Sequence, residues 1–204
     1  MIDASEIPYA PPVYPEDLDF AFITVDLAIS DQTHAHKTTV NVHANYDDRM
    51  QIVQSDGFKG MDPVALFDFL VDTAFKWGVC CIGIESVAYQ ASLQYIYPHF
   101  CREREIPNLL FVPLSASGHK MQRIVTWTGM LKKKEYYLTQ GDIVLTEELL
   151  NYDKTKPKAN DDDFIDGAAY GPQMLERYMT EILMFTTMQA VPDQPKTIYA
   201  VSSV

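Results

Sequence analysis

Residues 20–30, FAFITVDLAIS, set one acidic side chain, Asp26, near the end of a run that is otherwise apolar, β-branched and aromatic. Such residues fit a pleated, half-buried strand. A carboxylate inside that strand is costly unless its position brings it to solvent, a turn or a cation. The stretch therefore predicts a strand with a charge at its end. Two alternating stretches follow, HKTTVNVHA at 36–44 and RMQIVQSDGF at 49–58, parted by the turn-forming Asn45, Asp47 and Asp48. Three strands at this spacing predict an antiparallel meander.

Downstream, Asp62 and Pro63 supply an N-cap and a first-turn proline for a helix through about Trp77, which Gly78 ends. VCCIGIE at 79–85 reads as a buried strand, and Glu85 repeats the anomaly of Asp26 at its end. A helix is expected over VAYQASLQYIYPHF at 87–100, then a buried strand over LLFVPL at 109–114. KMQRIVTWTGMLKKKEYY at 120–137 reads as an amphipathic helix, with Met121, Ile124, Val125 and Trp127 apolar against Lys120 and Arg123. GDIVLT suggests a short strand or hairpin, and EELLNY a helical turn or two. The stretch 161–189 is helical in composition, with a kink or restart at Gly171 and Pro172. The order predicts an α/β fold: a mixed sheet, meander first and parallel strands after, flanked by helices.

The chain's 204 residues and 47% hydrophobic content suit one domain with a sizeable core. Residues 1–17 hold four of the twelve prolines and no periodicity, which predicts an extended arm or interdomain linker ahead of a domain spanning 18–204. No apolar run approaches membrane-helix length, and the start lacks the features of a signal peptide, so a protein inside the cell is expected. Cys80, Cys81 and Cys101 read as reduced core thiols. The formal charge of −12 opposes a polyanionic partner unless metal ions neutralise clustered carboxylates and the few cations gather on one surface. Lys120, Arg123, Lys132, Lys133 and Lys134 are the candidates for that surface.

A third acidic element is Asp161, Asp162, Asp163 and Asp166. Asp163 and Asp166, three apart, share a helix face, with Ala168 and Ala169 allowing close approach to a sheet. Asp161 and Asp162 read more simply as an acidic helix start. Carboxylates from two strand ends and one helix could cage Mg²⁺ or Mn²⁺, ions that prefer hard oxygen donors. A pair of such ions roughly 3.5 to 4 Å apart activates water and steadies the leaving oxygen of a phosphodiester.

Five stretches, ITVDLAIS, IGIESVAYQASL, KMQRI, GDIVLTEELLNY and DDDFIDGAAYG, together resemble, in order, the C-terminal nuclease domain of large terminase subunits of tailed bacteriophages. The resemblance spans about residues 20–172. It implies a ribonuclease H-like fold and a metal-dependent endonuclease that cuts concatemeric viral double-stranded DNA during packaging, in the host cytoplasm. It also implies a terminase ATPase domain, a small terminase subunit and a portal as partners. Carried over by motif, Asp26 and Glu85 are metal ligands, with Asp163 or Asp166 completing the set. The chain departs from the pattern at Gly167, where alanine is usual, at Pro172, and at Asp161, a position often held by histidine. No GxxxxGK[ST] phosphate loop occurs, so an excised or separately encoded nuclease half is expected.

His34, His36 and His43 lack acidic or cysteine partners at metal-ligand spacing, Ser86, Ser115 and Ser117 lack a nucleophile-elbow context, and Tyr89, Tyr95, Tyr97 and Phe100 read as helix packing. Beside the endonuclease stand a non-catalytic DNA-gripping or docking module and a junction-resolving nuclease of the same fold.

Overall fold

The computed structural model describes residues 2–28, 37–85, 93–116, 120–153, 155 and 161–189. Strands β2 (Phe20–Asp26), β3 (Thr38–Tyr46) and β4 (Arg49–Phe58) form the expected antiparallel meander, with Asp26 opposite Thr39. Asp47 and Asp48, both with positive φ, make the β3–β4 turn. Strand β5 (Cys81–Glu85) then pairs parallel to β2, and β6 (Leu110–Leu114) parallel to β5. With β1 (Tyr9–Ala10) and β7 (Tyr136–Thr139) the sheet has seven strands in the order β1-β7-β4-β3-β2-β5-β6.

The strand period of two sorts the side chains into two cores. On one face, Ile23, Val25, Val40, Val42, Ile82 and Ile84 pack under helices α1 (Pro63–Trp77) and α2 (Leu93–Glu103). On the other, Phe22, Ile52, Cys81 and Leu114 meet residues of α3 (Lys120–Lys132), α4 (Ile143–Asn151), α5 (Asp163–Ala168) and α6 (Gly171–Gln189). Glycine at Gly83 lets α6 cross β5 closely, because a Cβ there would lie 2.5 Å from Met174 Sδ. Helix α1 starts and stops as its capping residues predict. Asp62 accepts from the Val64 and Ala65 N–H groups at 2.9 and 3.2 Å, and Gly78 takes the left-handed C-cap with φ 64°.

Several readings change. The helix expected over 120–137 ends at Lys132, and residues 136–139 form β7, parallel to β4. Lys134 turns the chain with φ 59°, and the alternating Tyr136–Thr139 then enters the sheet. GDIVLT is the start of α4 rather than a strand, because the Asp142 carboxylate accepts the Leu145 N–H at 3.2 Å and nucleates a turn. Val125 is half exposed, and the buried stripe of α3 is instead Ile124, Trp127, Thr128 and Leu131. Tyr95 is exposed, whereas Tyr97 is buried and donates to the Pro63 carbonyl at 3.0 Å. At Gly171 and Pro172 the chain restarts as α6, so the proline stands in a first turn, where no N–H is needed. The N-terminal residues hold two short 3-10 turns, Ala4–Glu6 and Pro15–Asp17, and the strand β1, which extends the sheet beside β7, while Ile2 and Ile7 are buried in the core.

All three cysteines are free and buried. Burial pushes the Cys81 thiol up to about 12. Among the described residues no helix is long and apolar enough to cross a membrane.

Candidate metal centre

Phe22, Thr24 and Asp26 alternate onto the α5 face of β2, as Cys81, Gly83 and Glu85 do on β5. The parallel register pairs Thr24 with Gly83 and Val25 with Ile84. Continued by one residue, it sets Asp26 beside Glu85 at the carboxyl ends of the two strands, where α/β sheets place their ligand sites. The two carboxyl groups lie close enough to interact directly. Asp26 as a residue is half-buried, but its carboxyl is deeply desolvated. Burial first, then Glu85 and the charge of Asp166, push it well above the usual carboxylate range, against the opposing pull of Lys120.

Helix α5 brings the third element. Asp166 is buried and pairs with Arg123 Nη2 at 2.7 Å and Lys120 Nζ at 3.3 Å. Lys120 also holds Asp162 Oδ1 at 2.8 Å. Burial alone would lower the Lys120 and Arg123 pKa values, but Asp166 and its neighbours hold both above their ordinary values. Arg123 lies 4.3 Å over the Tyr170 ring, and the Tyr170 hydroxyl donates to Glu85 Oε1 at 2.7 Å. Burial and the bond to Glu85 push that phenol up. Cations from α3, carboxylates from β2, β5 and α5, and a phenol between them thus form one network.

Asp163, on the same helix, accepts the backbone N–H of Lys37 at 2.9 Å, at the entrance to β3. Asp162 is N-cap by position but makes no capping bond. Its carboxylate turns to Lys120, so the simple reading of an acidic helix start gives way to a place in the network. The capping role falls to Glu148 of α4, whose Oε2 accepts from Phe164 and Ile165 N–H at 2.9 and 3.1 Å. Burial pushes Glu148 up to about 7, against those two bonds. Glu148 and Tyr170 escape sequence reasoning because Glu148 reads as one of two adjacent acidic residues of a short helix and Tyr170 as a turn residue before Gly171, with nothing local to name their partners. For Asp162 the signal was present in the aspartate run, but not its direction. The departure at Gly167 has a steric cause: a Cβ there would strike Thr39 Oγ1 and lie 2.7 Å from Asn41 Nδ2.

The remaining predicted cations lie apart. Lys132 pairs with Glu6 at 2.9 Å, and Lys133 and Lys134 are exposed at the end of α3, about 18 Å of helix from Lys120. His43 is buried in β3, while His34, His36, Ser86, Ser117 and Tyr89 lie outside the described residues. Among the described residues no group of three or more His, Cys, Asp or Glu side chains is arranged to hold a metal ion. Asp166 turns its oxygens to Lys120 and Arg123 instead. The donor chemistry at the strand ends nevertheless fits a hard divalent cation, which would neutralise the adjacent carboxyl groups of Asp26 and Glu85.

No family profile and no curated protein sequence matches the chain. Solved structures do. The human cytomegalovirus terminase nuclease domain superposes with a TM-score of 0.62 at 13% identity, covering 89% of this chain and 98% of that one. The zinc-bound large terminase nuclease of thermophilic phage G20c gives 0.60 at 15% identity, covering 85% and 95%. The large terminase of thermophilic bacteriophage D6E gives 0.59 at 14% identity, covering 83% of this chain. The fold is that of the terminase nuclease domains. It is the ribonuclease H-like arrangement, a mixed sheet between helices. The chain spans 42% of the D6E protein's length. A terminase nuclease structure has also been obtained from crystals soaked with Mn. At these identities the terminase nuclease fold is what is shared, and the chemistry rests on the residues above.

Proposed function

We propose that this chain is a divalent-metal-dependent endonuclease that cuts double-stranded DNA. The observation that carries the reading is that Asp26 and Glu85 stand at adjacent strand ends, the Asp26 carboxyl deeply buried, with Asp166 close enough to act on it. Buried like charges without a structural partner are costly, and perturbed carboxylates of this kind gather at functional sites. Asp26 and Glu85 would hold Mg²⁺ or Mn²⁺, in a pair of ions, with Asp166 or Asp163 completing the set. Bound ions supply an activated water and charge neutralisation at the phosphate. The chain's own cations do the rest. A phosphate entering the site competes with Asp166 for Lys120 and Arg123, so their N–H donors pass to the DNA backbone while Asp166 turns to the metal side. Lys132, Lys133 and Lys134 extend the DNA surface beyond the site. Little sequence preference is expected, because phosphate contacts carry no base information.

The terminase nuclease fold supports the biological setting: cutting of concatemeric viral DNA during packaging in the host cytoplasm, beside a terminase ATPase domain, a small terminase subunit and a portal. A non-catalytic DNA-gripping module is the second reading, favoured by the ion pairs that already neutralise Asp166. Plasmid nicking and linearisation separates the two. With Mg²⁺ or Mn²⁺ the wild type should cut, EDTA should stop it, and Asp26→Ala and Glu85→Ala should each lower the rate by roughly 100-fold or more. A folded wild type that binds DNA and cuts with neither ion would leave only the gripping role.

A further inference from the structure

We infer that Thr24, His43 and Tyr136 are positioning residues for the carboxylate site, forming a buried hydrogen-bond chain that holds the backbone of α5 and so fixes Asp166 opposite Asp26 and Glu85. The inference rests on the metal-site reading above.

Helix α5 has six residues, too few to persist unaided. Its backbone groups are met from outside. Glu148 takes two N–H groups of the first turn, and the Thr39 hydroxyl donates to the Asp163 carbonyl at 3.3 Å. At the other end the Thr24 hydroxyl donates to the Gly167 carbonyl at 2.9 Å, one residue beyond Asp166.

That bond sets the direction of the whole chain. A threonine hydroxyl has one proton, and Gly167 receives it. His43 Nε2, 2.9 Å from the same oxygen, must then be the donor. Nδ1 is left as acceptor, and the Tyr136 hydroxyl donates to it at 2.5 Å. The imidazole is neutral in this arrangement, in agreement with burial that lowers His43 to about 3. The ring itself is clamped: Phe22 stacks on it at 4.8 Å with planes 9° apart, and Tyr136 meets it edge-on.

The chain therefore runs from β7 through β3 and β2 to α5. Glycine at Gly171 keeps its far end open, since a Cβ there would lie 2.7 Å from the Tyr136 oxygen and 2.8 Å from His43 Cε1. Aliphatic residues would fill a sheet core at lower cost than this row of polar groups. What polar groups add is a fixed placement for α5, as supporting hydrogen bonds do for the ligands of metal sites.

The test uses Thr24→Val, which keeps the shape and removes the hydroxyl, Thr24→Ser, which keeps the hydroxyl, and Tyr136→Phe, which removes the far donor. Amide hydrogen exchange and Mn²⁺ titration by calorimetry are read on each full-length protein, with circular dichroism confirming the fold. Thr24→Val is expected to speed exchange across residues 163–168 by roughly ten-fold, leaving β2 and β3 protected. It should also weaken Mn²⁺ binding by roughly ten-fold. Thr24→Ser should stay within about two-fold of wild type in both, and Tyr136→Phe should fall between. Unchanged exchange in α5 overturns the anchoring. Faster exchange with unchanged Mn²⁺ affinity also overturns the proposal, because the network would then be structural only. A wild type that fails to bind Mn²⁺ sinks the metal reading itself, which shows before any variant is compared.

Discussion

At Asp26 burial links the candidate site to stability. The carboxyl is raised well above 3.8, so the folded state holds its proton more tightly than the unfolded chain does. That contribution is complete below pH 3.8 and is lost as pH rises through the folded value. In metal-free buffer at pH 8, Asp26→Asn should therefore melt higher than the wild type, by roughly 2–4 °C, and the gap should close near pH 4. Adding Mn²⁺ should raise the melting temperature of the wild type and not of the variant. A variant that melts lower at pH 8 would show that the charged carboxylate is well held without metal. Glu148 works in the same sense over a window the numbers define. With a folded value of about 7 against 4.5, stability falls between those two pH values. Glu148→Gln keeps an oxygen for the Phe164 and Ile165 N–H groups and loses the titration. Urea melts across pH 4.5–7 should show a slope flattened by about 1 kcal/mol in total, allowing for solvent screening.

At the scale of elements, α5 carries Asp163 and Asp166 and depends on its neighbours for its shape. Gly167→Ala tests the close approach. The added methyl meets Thr39 and Asn41 in a fully packed layer, so a cost of about 1–3 kcal/mol in denaturant unfolding is expected, with weaker Mn²⁺ binding. A neutral effect would mean that α5 can slide without consequence. Elements with strong end signals were legible in the chain itself. Asp62-Pro63 and Gly78 bound α1, and Gly171-Pro172 break α5 from α6, because caps and prolines act through the local backbone. The end of α3 was not legible. Lysines are good helix formers, so Lys132–Lys134 carry no local stop, and β7 exists because Tyr136 finds Met50 across the sheet. GDIVLT misleads for the converse reason: its β-branched residues suit a strand, and the Asp142 cap overrides them.

Across the whole molecule, α3 separates two sets of cations, Lys120 and Arg123 in the carboxylate network and Lys133 and Lys134 at the far end. If both sets follow one DNA path, Lys133→Ala with Lys134→Ala should weaken DNA binding uniformly across sequences and lower the salt slope by roughly one to two, with the metal requirement of cutting unchanged. Unchanged binding would take these lysines off the path. The sequence by itself determined the meander, the two strand-end carboxylates and the acidic helix. These follow from periodicity and from charges set where an apolar run cannot bury them alone. Only the tertiary structure decided the partners: that Asp26 lies beside Glu85, that Asp162 and Asp166 meet Lys120, that Arg123 lies against Tyr170, and that Glu148 caps α5. Each of these joins residues from different elements. Such pairings depend on sheet order and helix placement, which local propensity does not encode.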